Sequence, residues 1–217
     1  MISYKKKRLF YILAIPVFWC HYLISKIKLR NKSGSCVQFG PGQKNYLKGW
    51  INIDANFLTA KTDIVSNLDW GLPIRNSSVS HCYSHHVIEH LRSIEYHFSE
   101  VFRILVQGGV YRVGVPNADS AIVAFVNGRF DWFSDFPKKW TSIGGKFNNF
   151  LMCEGEHLTI CTESFLTELA LRAGFSTIKL CGPQCRSHYP GLFGDCIQME
   201  ENESIQYPHT LILELVK

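Results

Sequence analysis

The sequence predicts an α/β fold, a parallel sheet covered by helices on both faces, and three observations predict it. Short apolar runs alternate with helical or loop segments through most of the chain. Residues of unusual chemistry cluster just after those runs, at the carboxyl ends of strands, where a parallel sheet collects its ligands. A length of 217 residues with 46% hydrophobic content suits one well-buried domain and is short for two of typical size.

The first run, "CVQF" (36–39), leads into Gly40-Pro41-Gly42. "WINID" (50–54) ends on Asp54, "DIVS" (63–66) leads to Asn67-Leu68, and "HCYS" (81–84) leads to His85 and His86. Helical spacing over 93–107 precedes a strand "VYRVGVP" (110–116), closed by Pro116. Periodicity fades between 119 and 160, where "RFDWFSDFPKKW" carries five aromatics among charges, and a lid or insertion over the site is expected there. A helix resumes at "TESFLTELALRAGF" (162–175), with Thr162 as its cap, Phe165, Leu166, Leu169 and Leu171 on one face, and Gly174 as its stop. "TIKLC" (177–181) and "TLILELV" (210–216) read as the last strands.

The N-terminus, 1–32, reads as a segment distinct from the domain at 33–217. The stretch "LFYILAIPVFWCHYLI" (9–24) is apolar almost all round and lies between two clusters of four basic residues. It is slightly short for a span, Pro16 would kink its middle, and no cleavage site of small residues follows. An interfacial helix on an anionic cytoplasmic membrane face is therefore expected, in preference to a span or a helix packed on its own domain. The net charge of +5 belongs to this segment, because the rest carries 15 basic against 18 acidic residues. A nucleic-acid partner is not expected. Eight cysteines without a C-x-x-C read as buried, reduced thiols of a cytoplasmic protein.

The glycine loop excludes a dinucleotide site. A G-x-G-x-x-G fingerprint needs glycine where Asn45 stands, and Asp54 follows Gly40 by only 14 residues, leaving room for one helical turn at most. What remains is a backbone open to close approach at Gly40 and Gly42, with a carboxylate able to accept from two vicinal hydroxyls. That suits a nucleoside without a diphosphate.

Five stretches in order, "FGPGQKNYLKGWINID", "DIVSNLDWGLPIRNSSVSHCYSHHVIEHL", "EVFRILVQGGVYRVGVPN", "EHLTICTESFLTELALRAGF" and "LILELVK", resemble the class I S-adenosylmethionine-dependent methyltransferases. The nearest likeness is to a small bacterial branch often associated with surface-glycan biosynthesis. The resemblance implies a Rossmann-like sheet, mostly parallel with an antiparallel last strand, and S-adenosylmethionine as cofactor. It implies that Gly40, Pro41 and Gly42 face the methionine part, Asp54 the ribose, Asn67 and Leu68 the adenine, and Ser84 and His85 the sulfonium. Gln38 and Asn67 stand where acidic residues are usual in the superfamily.

"YSHHVIEHL" (83–91) also matches the H-x-x-E-H spacing of some zinc peptidases through His86, Glu89 and His90. A strand end at His86 would break the helix that such a site needs, so no metal is expected. His90 and Glu89 read as structural, His90 bonding backbone beneath the glycine loop. The implied reaction is methyl transfer to an oxygen or nitrogen of a small-molecule or glycan acceptor at the membrane surface, with His86 or His157 as the base. The alternatives are a cofactor-binding or scaffolding relative without turnover and, third, a zinc hydrolase.

Overall fold

The computed structural model describes residues 12–31, 33–184, 187–200 and 206–217. The cluster "KKKR" (5–8), residues 9–11 of the apolar stretch, Lys32 and Cys185 lie outside the described residues. Seven strands form one sheet: β1 Ser35–Phe39, β2 Ile51–Asp54, β3 Ile64–Val65, β4 Val79–His85, β5 Leu105–Pro116, β6 Thr177–Cys181 and β7 Thr210–Val216. Their spatial order is β3-β2-β1-β4-β5-β7-β6. β1 to β5 run parallel, and β7 is antiparallel to both β5 and β6. The order reverses between β1 and β4, so a crevice opens there at the strand ends.

Helices α1 (Ile15–Lys28), α2 (Ile94–Ile104), α3 (Ala118–Val126), α4 (Ile143–Met152), α5 (Glu163–Ala173) and the single turn α6 (Gly194–Ile197) surround the sheet. The pleat sorts the strand residues into two very different faces. Val37, Phe39, Ile53, Cys82, Tyr111, Val113 and Leu213 form an apolar layer with Phe98 and Val101 of α2 and Leu166 and Leu169 of α5. On the other face, Tyr83 and Val110 meet Leu47, Phe193 and Cys196, so the 41–50 loop and the segment around α6 cover it. That face also buries Arg112, which bonds Glu200 through two 2.7 Å contacts and Glu214 through one of 2.8 Å.

Several expectations need correction. The helix expected to reach Gln107 stops at Ile104, because Leu105 already pairs with Val79 as the start of β5. Leu171 is 56% exposed, and Ala170 takes its place on the buried face of α5. The segment 119–160 is not irregular: α3, a 3-10 turn at Phe130–Trp132 and α4 build a small core of Ala121, Ala124 and Phe133, with Phe147 and Phe150 against it. Pro16 marks a break in the apolar stretch as expected, though near its start: Ile12 and Leu13 are helical, Ala14 is a turn, and α1 restarts at Ile15 with Pro16 in its first turn.

The N-terminal helix also packs on its own domain, where the sequence suggests one lying on a membrane. Phe18 is buried against Val65, and its ring stands edge-on to Trp70 at 5.5 Å and to Phe57 at 6.3 Å. The opposite side leaves Trp19, Leu23 and Ile27 exposed. Among the described residues no helix is long and apolar enough to cross a membrane. The seven described cysteines are free thiols, and burial pushes the pKa of Cys161 and Cys181 up to about 12, which keeps them protonated and unreactive.

Candidate active site

The glycine loop is built by backbone geometry. Gly40 has φ +63° and donates its N–H to the Ile53 carbonyl at 2.8 Å, which ties the end of β1 to β2. A Cβ at Gly40 would stand 2.4 Å from Val87 Cγ2, so only glycine fits. Between β1 and β2 the chain makes one turn, closed by Asn45 N–H on the Pro41 carbonyl at 3.1 Å, as the short spacing predicts. Asp54 then clamps the loop: Oδ2 accepts from Gly42 N–H at 3.1 Å and Oδ1 from Asn56 N–H at 2.8 Å.

After β3 a second clamp follows. Asn67 Oδ1 accepts from Asp69 N–H at 3.0 Å and starts a 3-10 turn over Leu68–Trp70. Asp69 Oδ1 in turn accepts the backbone N–H groups of Arg92 and Ser93, both at 2.9 Å. The exits of β3 and β4 are thereby fixed to each other.

These exits enclose a cavity of about 700 Å³, a size suited to a nucleoside-bearing ligand. Gly40, Asp54, Asn67, Leu68 and His86 border it, five of the residues singled out from the sequence. Trp70, Val87, His90, Glu156 and Leu158 border it too, and none of them stands out in sequence as cavity-forming; His90 reads there as structural. Pro41 and Gly42 shape the loop from behind and are not part of the lining.

The two residues expected at the sulfonium part company. Consecutive strand residues point to opposite faces. Ser84 is fully buried under α2, its hydroxyl 2.7 Å from the Tyr111 hydroxyl, while His85 packs on the other face over Gly114 and stacks with Tyr83. Neither borders the cavity.

His86 leaves the strand at φ +53°, with its N–H on the Gly114 carbonyl at 2.9 Å. That turn swings its ring into the cavity, Nδ1 lying 3.4 Å from Glu89 Oε1 and Nε2 3.2 Å from Thr210 Oγ1. Burial raises the Glu89 pKa, yet the adjoining His86 and His90 imidazoles lower it more, so the group is a carboxylate. Only Ile88–His90 forms a 3-10 turn here, so the regular helix of the H-x-x-E-H peptidase template is not built.

His90 differs from its expected place. Its Nδ1 bonds the Glu156 carbonyl at 2.9 Å, on the return from the helical insertion, and Val87 instead fills the space beneath Gly40. His157 does not border the cavity; its Nδ1 bonds the Leu151 carbonyl at 2.9 Å and its ring meets that of His90 at 5.0 Å. Burial holds the His157 pKa below its ordinary value, so this imidazole is neutral at pH 7.

No protein-family model matches the chain, and no curated protein matches its sequence. Solved structures do match. A SAM-dependent methyltransferase of Thermotoga maritima is 16% identical over 95% of this chain and 96% of its own, with a TM-score of 0.53. A SAM-dependent methyltransferase of Archaeoglobus fulgidus is 14% identical over 95% and 99%, also at 0.53. Phosphoethanolamine N-methyltransferase 2 of Haemonchus contortus, solved with S-adenosyl-L-methionine, is 12% identical over 92% of this chain and 52% of its own, at 0.51. These likenesses, with the mostly parallel seven-stranded sheet and its antiparallel β7, show the fold: the chain has the Rossmann-like fold of the S-adenosylmethionine-dependent methyltransferases.

Proposed function

We propose that this chain transfers a methyl group from S-adenosylmethionine to an oxygen or nitrogen of an acceptor that enters on the His86 side of the cavity. The observation that carries this reading is the convergence of Gly40, Asp54, Asn67 and His86 on one cavity at the reversal of strand order. The residues fit the cofactor. Asp54 spends two of about four carboxylate lone pairs on Gly42 and Asn56, which leaves acceptors for two vicinal ribose hydroxyls. Gly40 presents bare backbone, and Leu68 with Trp70 offers an apolar wall for a purine.

When bound, the cofactor supplies an electrophilic methyl on a sulfonium. The chain aligns the acceptor, which can lower the barrier by about 7 to 11 kcal/mol in well-ordered cases. With Glu89 ionised, His86 Nδ1 carries the ring hydrogen toward it, and Nε2 takes the acceptor proton once the acceptor replaces its 3.2 Å contact with the Thr210 hydroxyl. His86, and not His157, is the base in this reading.

The acceptor class is proposed as a surface glycan or its lipid-linked precursor at the inner membrane face. Ile12 and Ile15 border the cavity while Trp19, Leu23 and Ile27 of the same segment are exposed beside Lys26 and Lys28. An anionic membrane held by that face would bring a lipid-borne acceptor to the rim. The test is transfer of label from methyl-labelled cofactor into a membrane glycolipid fraction. His86→Gln should lower turnover by about 10²-fold or more with cofactor affinity little changed. Equal turnover in that variant would remove His86 from the reaction.

A further inference from the structure

The segment His86–His90 does not make the peptidase helix, yet its last two residues meet a partner 67 positions along the chain. Ligand atoms of Glu89, His90 and His157 all lie within 4.8 Å of one another. Glu89 is 1% exposed, and neither carboxylate oxygen has a hydrogen bond of standard geometry, only long contacts to the adjoining imidazoles. The imidazole nitrogens facing it are His86 Nδ1 at 3.4 Å and His90 Nε2 at 3.7 Å. Both other rings are oriented as metal-bound imidazoles usually are: His90 gives its Nδ1–H to the Glu156 carbonyl and His157 its own to the Leu151 carbonyl, each at 2.9 Å. Each Nε2 is therefore left with a lone pair beside a buried carboxylate.

We infer that Glu89, His90 and His157 form a binding site for a divalent transition metal of the zinc class, with an open position facing the cavity. Two imidazole nitrogens and one carboxylate oxygen are a donor set used by catalytic zinc and by other borderline metals, not by magnesium or calcium. Ligand atoms around a tetrahedral ion with bonds of about 2.1 Å stand roughly 3.4 Å apart, so the separations here need only small side-chain rotations. His90 and Glu156 border the cavity, which puts the open position where an oxygen ligand can reach it. That this ligand is the acceptor hydroxyl rests on the methyl-transfer reading; the ligand geometry does not. The H-x-x-E-H spacing names only His86, Glu89 and His90, and no local spacing joins His157, 67 positions beyond His90, to them. The other convergent group among the described residues, Cys181, His188 and Glu214, has its carboxylate committed to Arg112.

The test uses the full chain stripped by chelator and titrated with Co²⁺, read by visible absorption, and then with competing Zn²⁺. One equivalent should bind, with a tetrahedral or five-coordinate spectrum. His90→Gln and His157→Gln should each weaken binding at least tenfold while the far-ultraviolet circular dichroism of the metal-free protein stays that of the parent, which certifies the fold. Failure to bind one equivalent, or affinity in both variants equal to the parent's, overturns the site and assigns the cluster to proton sharing around Glu89. The titration needs no methyl donor, so it can fail while the methyl-transfer reading stands, and the reverse.

Discussion

The carboxylate of Asp54 accepts the Gly42 amide at 3.1 Å, so the residue that ends β2 also braces the loop that ends β1. In the proposed reading one group thus serves the ligand and the scaffold at once. Asp54→Ala should reduce affinity for S-adenosylhomocysteine at least tenfold, and should also cost about 1.5 to 3 kcal/mol of stability through the lost charge-assisted bonds. Calorimetry and urea denaturation check the two effects separately. A variant as stable as the parent would mean that the loop holds itself.

Gly40→Ala puts a methyl 2.4 Å from Val87 Cγ2 in a left-handed backbone conformation. A loss of about 2 kcal/mol or more is expected from strain and overpacking together. Adding Val87→Ala should recover the overpacking share and leave the conformational share. Denaturation of the two variants side by side measures this; no recovery would place the clash elsewhere.

Arg112, Glu200 and Glu214 form a fully buried ion triad that ties the segment after α6 to β5 and β7. Glu200→Ala should cost about 3 to 5 kcal/mol, because it leaves the guanidinium short of a partner in the interior. A midpoint unchanged in urea would contradict a closed, dry triad.

Much of this arrangement was legible in the sequence. β6 and β7 have the predicted bounds, and β1, β2 and β4 overlap their apolar runs, since alternation and turn residues are local signals. Gly40, Asp54, Asn67, Leu68 and His86 converge as strand-end logic requires. Ser84 and His85, adjacent in sequence, lie on opposite faces of β4 and outside the cavity lining, because strand residues alternate with a period of two. His157 meeting His90 and Arg112 meeting Glu200 depend on pairings 67 and 88 residues apart, which no local pattern encodes. Leu105 looked helical because its neighbours are apolar in either state; its pairing with Val79 decided the matter.

His97 is fully buried on α2 between Phe39 and Tyr111, and burial lowers its pKa to about 4, with Glu100 pulling weakly the other way. The unfolded chain therefore binds this proton more tightly than the folded one. The neutral ring is accommodated at full stability above about pH 6.5, and stability falls as pH drops from 6.5 toward 4, by about 3 kcal/mol for this group. His97→Leu should flatten that part of the curve. Parallel slopes for parent and variant between pH 6.5 and 4 would show that carboxylates alone cause the loss.

The central claim is that the cavity bounded by Gly40, Asp54 and Asn67 holds S-adenosylmethionine. The most direct measurement is calorimetric titration of the full-length chain with S-adenosylhomocysteine, paired with the same titration of Gly40→Ala and Asp54→Ala. The account predicts one site per chain, weakened at least tenfold in both variants. Absence of binding to the parent, or binding that neither substitution disturbs, would contradict it.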